Sequence, residues 1–455
     1  MFRLTADDFL DAPHLPPNWK RVDHDELAVS LGGLDGVGDP DLWGAVRGIV
    51  NSLPRTRLRT RPCRYWTPAL DVMKRDVRRA RSAAVADPNK RPYYNLVRLV
   101  YQACILNAGH NYIISVLERA KDPTIFDQVK KLKARVVIPA LVDDDGVLQK
   151  THPAMSDLIA RQLRPGDSVR WVDRPIDFEG DIGQLLDGAL SASPANTSPG
   201  INDIGYPFIR FWAKTHRDSL MRLISYGLRH DIEDGHTAHT IPIPKADKPT
   251  YDIAKSWRMI HLLPTLAKVV ERMVLDRLAM DVELEETQFG SRKKRGCHDT
   301  MAMVYEFLEH NRHMSRAMLS MDIEGGFDHV DVDTLGDLMM GRGASLNTVK
   351  WVIRWANARR MRFRFNARMF KTYHTSLGIP QGSPLSLFLF GIYIADIFRP
   401  RLRYTPAIRR VVSSYVDDGL ILVAADSRGK AVRQLKEVFL DCYSVAKGRG
   451  MDLPH

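Results

Sequence analysis

Apolar positions along the chain change period several times, and each change predicts an element. Leu266, Val269, Val270, Met273, Val274 and Leu278 recur at helical spacing, which predicts an amphipathic helix over 264–280. Thr67-Pro68 reads as a cap and first helical residue, opening a helix to about Ala84. A second helix is predicted from Pro92 to Ala120, and a third opens at Asp122-Pro123 and ends in Lys130-Lys131-Leu132-Lys133. Val136–Val142, Asp143-Asp144-Asp145-Gly146 and Val147-Leu148 predict a short hairpin. Further along, Ala317–Met321 reads as a largely buried strand, and Met361–Phe365 alternates apolar and basic residues at strand period. Val411–Val416 and Leu420–Ala424 are apolar strands around Asp417-Asp418-Gly419, and helices are predicted at 384–398 and 428–447. Residues 165–200 read as loop, ending in Ser193-Pro-Ala-Asn-Thr-Ser-Pro-Gly200. The main boundary is therefore placed near residue 195, between a mostly helical region 1–195 and a region 196–455 of short strands among helices. That mix predicts an α+β fold with an antiparallel sheet.

Composition narrows the class. The 455 residues are 44% hydrophobic and 26% charged, too apolar for a disordered chain. Cys63, Cys104, Cys297 and Cys442 lie far apart with no CxxC, which argues against a disulfide framework or a zinc knuckle and fits a reducing compartment. The first residues, Met1-Phe2-Arg3-Leu4-Thr5-Ala6-Asp7-Asp8, do not read as a signal peptide. The most apolar run, Leu385–Phe398, carries Asp396 and is too short to span a bilayer. An intracellular location without membrane insertion is expected.

Charge points to an anionic partner. The net charge is +12, and it is unevenly placed: nine acidic against four basic residues in 1–50, then thirteen basic against three acidic in 55–98. Such a concentration, with Arg78 and Arg79 in its middle, repels itself unless an anion is near; a solvated helix face is the alternative.

Candidate chemistry sits at strand ends. Asp322 follows the 317–321 strand, and Asp417 and Asp418 lie between two apolar strands. Taken singly, these are a strand-end cap and a hairpin turn. If the two ends are neighbours, two carboxylates at ~4 Å repel by about 4 kcal/mol at an effective dielectric near 20. Divalent cations relieve that repulsion, and oxygen ligands without His or Cys suit Mg²⁺. Between the acids lies Leu377-Gly-Ile-Pro-Gln-Gly-Ser-Pro-Leu-Ser386, a tight loop in which Gln381 offers both a donor and an acceptor.

Ser320-Met-Asp-Ile-Glu-Gly-Gly-Phe-Asp328, Gly378-Ile-Pro-Gln-Gly-Ser-Pro-Leu385 and Tyr415-Val-Asp-Asp418 resemble polymerase motifs A, B and C of a reverse transcriptase, in order and at fitting intervals. Ile241-Pro-Ile-Pro-Lys245, Trp257-Arg258-Met-Ile-His-Leu-Leu263 and Gln288-Phe-Gly-Ser-Arg-Lys-Lys-Arg295 resemble the fingers motifs of non-LTR (LINE-like) retrotransposons. Ser198-Pro-Gly-Ile-Asn-Asp-Ile204 resembles their upstream motif, and 40–195, more loosely, their basic linker.

The resemblance implies a right-hand polymerase with fingers and an antiparallel palm sheet, preceded by a largely helical basic region. It implies RNA-directed DNA synthesis from dNTPs on a DNA primer and an RNA template, with two Mg²⁺ ions that Mn²⁺ can replace. Asp322 and Asp417, with the carbonyl of Ile323, would hold the ions, and Asp418 would be the second acid of motif C. Lys245 and Arg258 would hold the triphosphate, Phe327 would exclude a 2′-hydroxyl, and Gln381 would meet the nascent base pair. Asp328 is expected to be structural. The strand carrying Arg362 and Arg364, with Arg359, Arg360, Arg368 and Lys371 around it, would line a nucleic-acid channel. Family members continue with a primer grip and a thumb, so the resemblance reads the chain as a truncated or degenerate copy, or one exon of a longer product, baring Leu435, Val438, Phe439 and Leu440, and with no endonuclease upstream. The nucleus is a compartment open to it as part of a ribonucleoprotein. Two alternatives stand: a silent nucleic-acid-binding remnant of the same fold, and an RNA-dependent RNA polymerase.

Overall fold

Local signals set most element ends. In the computed structural model, which describes residues 17–55, 67–118, 141–149, 152–162, 176–178, 180–194, 200, 202–230, 236–245, 250–290, 292–365, 368–375, 378–399 and 409–453, Thr67 accepts from the Leu70 N–H at 3.3 Å and so caps the helix that Pro68 opens. The chain runs α1 (His24–Gly32), α2 (Asp39–Ser52), α3 (Pro68–Ala86), α4 (Arg91–Glu118), β1 (Leu141–Val142), β2 (Leu148–Gln149) and α5 (His152–Gln162). It continues through α6 (Ile182–Ser191), α7 (Tyr206–Thr215), α8 (Arg217–Arg229), β3 (Thr237–Pro244), β4 (Trp257–Leu262), α9 (Thr265–Asp281) and α10 (Cys297–His310). The last elements are β5 (Ser315–Met321), α11 (Val332–Gly341), α12 (Leu346–Asn357), β6 (Arg360–Phe365), β7 (Arg368–His374), α13 (Ser386–Ile394), β8 (Arg409–Tyr415), β9 (Asp418–Ala425) and α14 (Arg428–Gly448). The helix expected over 122–133 lies outside the described residues.

The chain divides into two compact units, residues 57–136 and the remainder. Within the first, α3 and α4 bury Leu70 and Ala80 and leave Arg75, Arg78 and Arg79 exposed.

Two sheets organise the larger unit. One has the order β4-β3-β6-β7, with β3 and β6 parallel and the other pairs antiparallel. In β6 the expected alternation is present: Met361 and Phe363 are buried, and Arg360 and Arg362 are exposed. The other sheet is antiparallel throughout, in the order β5-β9-β8. This is the α+β arrangement expected from the sequence.

Three expectations are corrected. Residues 165–200 contain α6, which the glycines at 183 and 188 disguise. Asp181 caps it by accepting from the Gln184 N–H at 3.1 Å, and Leu185, Leu186, Ala189 and Leu190 enter the core that also holds Leu266 and Met273. Second, β5 is not largely buried: it is an edge strand, and Arg316, Met318 and Ser320 point to solvent. Third, α14 does not bare Val438, which is fully buried. Leu435 and Phe439 are partly buried against the core, while Leu440 is half exposed. The helix α13 is apolar on all sides and, apart from Leu387, buried, which fits a central position in the core. Among the described residues no helix is long and apolar enough to cross a membrane.

Candidate active site

Register alone brings the three acids together. Met321 on β5 pairs with Gly419 on β9, and Tyr415 on β8 pairs with Asp418. Asp322 therefore leaves the edge strand beside Asp418, and Asp417 occupies the two-residue turn joining β8 to β9. The other turn residue, Val416, has φ +59, a conformation that a β-branched side chain adopts only under strain of about 1–3 kcal/mol. The turn is braced from outside. Phe289 donates its N–H to the Ser414 carbonyl (2.9 Å), and Ser414 donates to that of Thr287 (3.1 Å). Gly290 then lies so close that a Cβ there would sit 2.5 Å from the Val416 nitrogen.

The acids disturb one another. Partial burial, then the charges of Asp417 and Asp418, push the Asp322 carboxyl above the usual range, against a hydrogen bond from the Ile323 N–H. Burial and then Asp417 do the same to Asp418. Among the described residues no Lys, Arg or His forms an ion pair with any of the three. Nor, among the described residues, do three or more His, Cys, Asp or Glu side chains form a ready-made metal cage. A few carboxylates, left for water and phosphate oxygens to complete, form the kind of donor set a small hard cation takes.

A floor of backbone contacts lies beneath this edge. The 3₁₀ turn Gly326–His329 carries Phe327, whose half-buried ring stacks on Phe390 with centroids 4.6 Å apart. The 378–385 loop docks on that turn: Gly378 donates to the Val330 carbonyl (2.9 Å) and Ile379 to that of Phe327 (2.8 Å). Gly378 has φ +73, and a Cβ there would meet the Phe327 oxygen at 2.7 Å. Half-buried Gln381 offers its carbonyl to the His261 N–H at 2.9 Å, joining the loop to β4. Asp328 is pushed upward by burial, opposed by His329, Arg359 and Lys245. Lys245 follows β3 and lies near enough to that turn to act on Asp328, and exposed Arg258 on β4 pairs with Ile243 on β3.

Residues 243–453 match the family model described as reverse transcriptase (RNA-dependent DNA polymerase). This region is a reverse transcriptase domain. Similar proteins include the Transposon TX1 uncharacterized 149 kDa protein of Xenopus laevis, 25% identical over 252 residues, which are 53% of this chain and 19% of that one. The RNA-directed DNA polymerase from mobile element jockey of Drosophila funebris is 26% identical over 221 residues, 46% of this chain and 23% of that one. The probable RNA-directed DNA polymerase from transposon BS of Drosophila melanogaster is 25% identical over 269 residues, 55% and 28% of the two chains. The matched stretch thus spans less than a third of each of these relatives.

The reverse transcriptase domain takes in every candidate residue from Lys245 to Asp418 and leaves out Arg78 and Arg79. Proteins of this family use divalent metal ions, nucleotides and a nucleic-acid template. Arg362 is exposed on β6, and Arg364, two residues further along, pairs with Met369; both belong to the β4-β3-β6-β7 sheet and not to the sheet that carries the acids. Arg359 is a correction. It is buried, donating from Nη2 to the Gly378 carbonyl at 2.6 Å, and burial lowers its pKa to about 10. It props the 378–385 loop from below and does not line a channel.

Sequence reasoning also missed Glu271, a buried acid beneath the same loop. Its signal was present: 267, 271, 274 and 278 form one helical row, and Glu271 is the charge on it. His261 is a second residue that its sequence surroundings do not single out. It is buried against Thr240 Oγ1 at 2.9 Å, and burial, then Arg359, lowers its pKa to about 3.

Proposed function

We propose that the chain is the polymerase part of a non-LTR retrotransposon reverse transcriptase, extending a DNA primer on an RNA template with dNTPs. The observation that carries this reading is the register of β5, β9 and β8, which gathers Asp322, Asp417 and Asp418 on one edge without a cationic partner among the described residues. Asp322 and Asp417, with the carbonyl of Ile323, hold two Mg²⁺ ions, and Asp418 adds negative charge beside them. Bound ions of this kind supply charge compensation for the attacking 3′-hydroxyl and the leaving pyrophosphate.

The chain's own groups do the positioning. Lys245 and Arg258 hold the triphosphate from the β3–β4 side, and Gln381 meets the new base pair. The Phe327 ring, fixed by its stack on Phe390, fills the space a 2′-hydroxyl would need. Arg362 and Arg364 track the backbone of the nucleic acid, and Arg78 and Arg79 on α3 add sequence-tolerant contacts to RNA. In this reading residues 196–455 form fingers and palm, and the upstream region is a linker.

The test is primer extension by the full chain on an RNA template with Mg²⁺ or Mn²⁺, in parallel with dNTPs and rNTPs. Metal-dependent dNTP incorporation is expected. Incorporation of rNTPs alone would make it an RNA-dependent RNA polymerase, and binding without incorporation under any metal would make it a silent remnant.

A further inference from the structure

Besides the Arg359 bond to the Gly378 carbonyl, the 378–385 loop is tied down at three places. Gly378 and Ile379 bond to the turn that carries Phe327, and the Gln381 carbonyl bonds to β4. Those ties are backbone to backbone, so they do not depend on side-chain identity. The third is different. Ser383 Oγ donates to Glu271 Oε2 at 2.6 Å and accepts from the Leu385 N–H at 3.0 Å. The other carboxylate oxygen of Glu271, Oε1, accepts from the Trp355 indole N–H at 3.1 Å. All three residues are shut away from solvent, at 1% exposure for Glu271, 2% for Trp355 and 6% for Ser383.

An acid is an expensive choice at this position. Glu271 stands on α9 among Val270, Val274 and Leu278, where an aliphatic side chain of similar volume would pack without desolvating a charge. Burial pushes its carboxyl upward, with Ser383, Trp355, Lys268 and His236 acting in the opposite direction. Helix packing does not call for the acid. The loop it reaches does: Gly378 and Gly382, at φ +73 and +133, have no side chains to restrain them, and Gln381 lies between them. Without the Ser383 tie, the stretch between Gln381 and Leu385, the latter buried in the core, keeps among the described backbone bonds Ser383's to the Pro380 carbonyl, at 3.3 Å, which lies within the loop itself.

We infer that Glu271, acting through Ser383, is a positioning residue that fixes the 378–385 loop and so sets where Gln381 meets the nascent base pair. The part concerning the base pair rests on the polymerase reading, and the part concerning the loop does not.

The experiment compares the full chain with Ser383→Ala, Glu271→Gln and Glu271→Ala. Two things are measured: amide hydrogen exchange across 378–385, and single-nucleotide incorporation with separate kcat, KM and primer–template Kd. Ser383→Ala should speed exchange in the loop while β5 and β9 amides hold. It should also lower kcat/KM for the correct nucleotide by roughly 10- to 100-fold, the cost of a misplacement of about 1 Å, with primer–template Kd unchanged. Glu271→Gln should stay close to wild type, because its amide can still accept from Trp355 and bond Ser383. The Ser383→Ala/Glu271→Ala double variant should be no worse than the poorer single variant. Unchanged loop exchange in Ser383→Ala overturns the proposal whatever the activity. So does a loss of primer–template affinity equal to the loss in kcat/KM, since that marks general unfolding. If Glu271→Ala fails to fold, the other two variants still decide. A wild-type chain that incorporates nothing would sink the polymerase reading alone, and loop exchange would still judge the tie.

Discussion

Asp322 at the tip of the three-stranded sheet and Glu271 beneath the 378–385 loop are both acids whose pKa is raised, with burial the first cause in each. Their remaining surroundings differ. Glu271 has both oxygens satisfied by neutral donors and is almost wholly enclosed, so its discomfort is spent on holding protein against protein. Asp322 is exposed, and its next two causes are the like charges Asp417 and Asp418. Nothing in the described protein neutralises that trio. An acid that braces the fold and an acid proposed to take a ligand can share a direction of pKa shift, and the neighbours tell them apart.

That contrast can be pushed from either side. The largest effect should come from disturbing the floor that both regions share. Gly382→Ala places a Cβ onto the His261 carbonyl oxygen at φ +133, and Gly378→Ala meets the Phe327 and Asp328 backbone. Each should cost about 2–4 kcal/mol in chemical denaturation and most of the incorporation activity. A variant with wild-type stability would mean the loop is not docked as described.

Phe327→Val should come next. With Phe390 no longer stacked at 4.6 Å and the side chain smaller, space opens at the sugar, and the dNTP/rNTP ratio of kcat/KM should fall by roughly 10-fold or more. An unchanged ratio would make Phe327 a packing residue only.

A smaller effect tests the basic helices. Deleting 55–98 should weaken RNA binding and flatten its salt dependence by roughly 3–4 in log–log slope, if four to six phosphates are contacted at about 0.7 each. Affinity and slope that both survive would leave the segment a solvated face.

The smallest is a stability effect of opposite sign to most substitutions. A raised pKa means the folded protein binds the Asp322 proton more tightly than the unfolded chain does. The associated stability is present at low pH and is lost as pH rises through the folded value. Asp322→Asn removes that penalty, so in metal-free buffer Tm should hold or rise by about 1 °C at pH 7, and the gain should vanish near pH 4.

Legibility in the sequence followed the range of the forces involved. Strands β8 and β9, the turn between them and helix α9 announce themselves through local period, and Asp322, Asp417 and Asp418 through charge at strand ends. What stayed hidden depends on partners far along the chain. Helix α6 carries two glycines and is held by leucines that pack on α9. The exposure of β5 follows from its place at the sheet edge, which no residue within it specifies. Arg359 reads as one more cation in a basic run until Gly378, nineteen residues on, is found taking its hydrogen bond. Glu271 and Ser383 are 112 residues apart, and neither predicts the other.

One paired measurement tests the central distinction most directly: nucleotide incorporation and Tm, on the same preparations, for Asp417→Asn and Glu271→Leu. Asp417→Asn should lose incorporation by at least roughly 10³-fold, the several kcal/mol that metal ions contribute, while Tm holds or rises. Glu271→Leu, which strands the Ser383 hydroxyl and the Trp355 N–H, should lower Tm and leave measurable, metal-dependent incorporation. Wild-type incorporation by Asp417→Asn, or a Tm loss in it as large as that of Glu271→Leu, would contradict the assignment of the hairpin acids to a ligand and not to the fold.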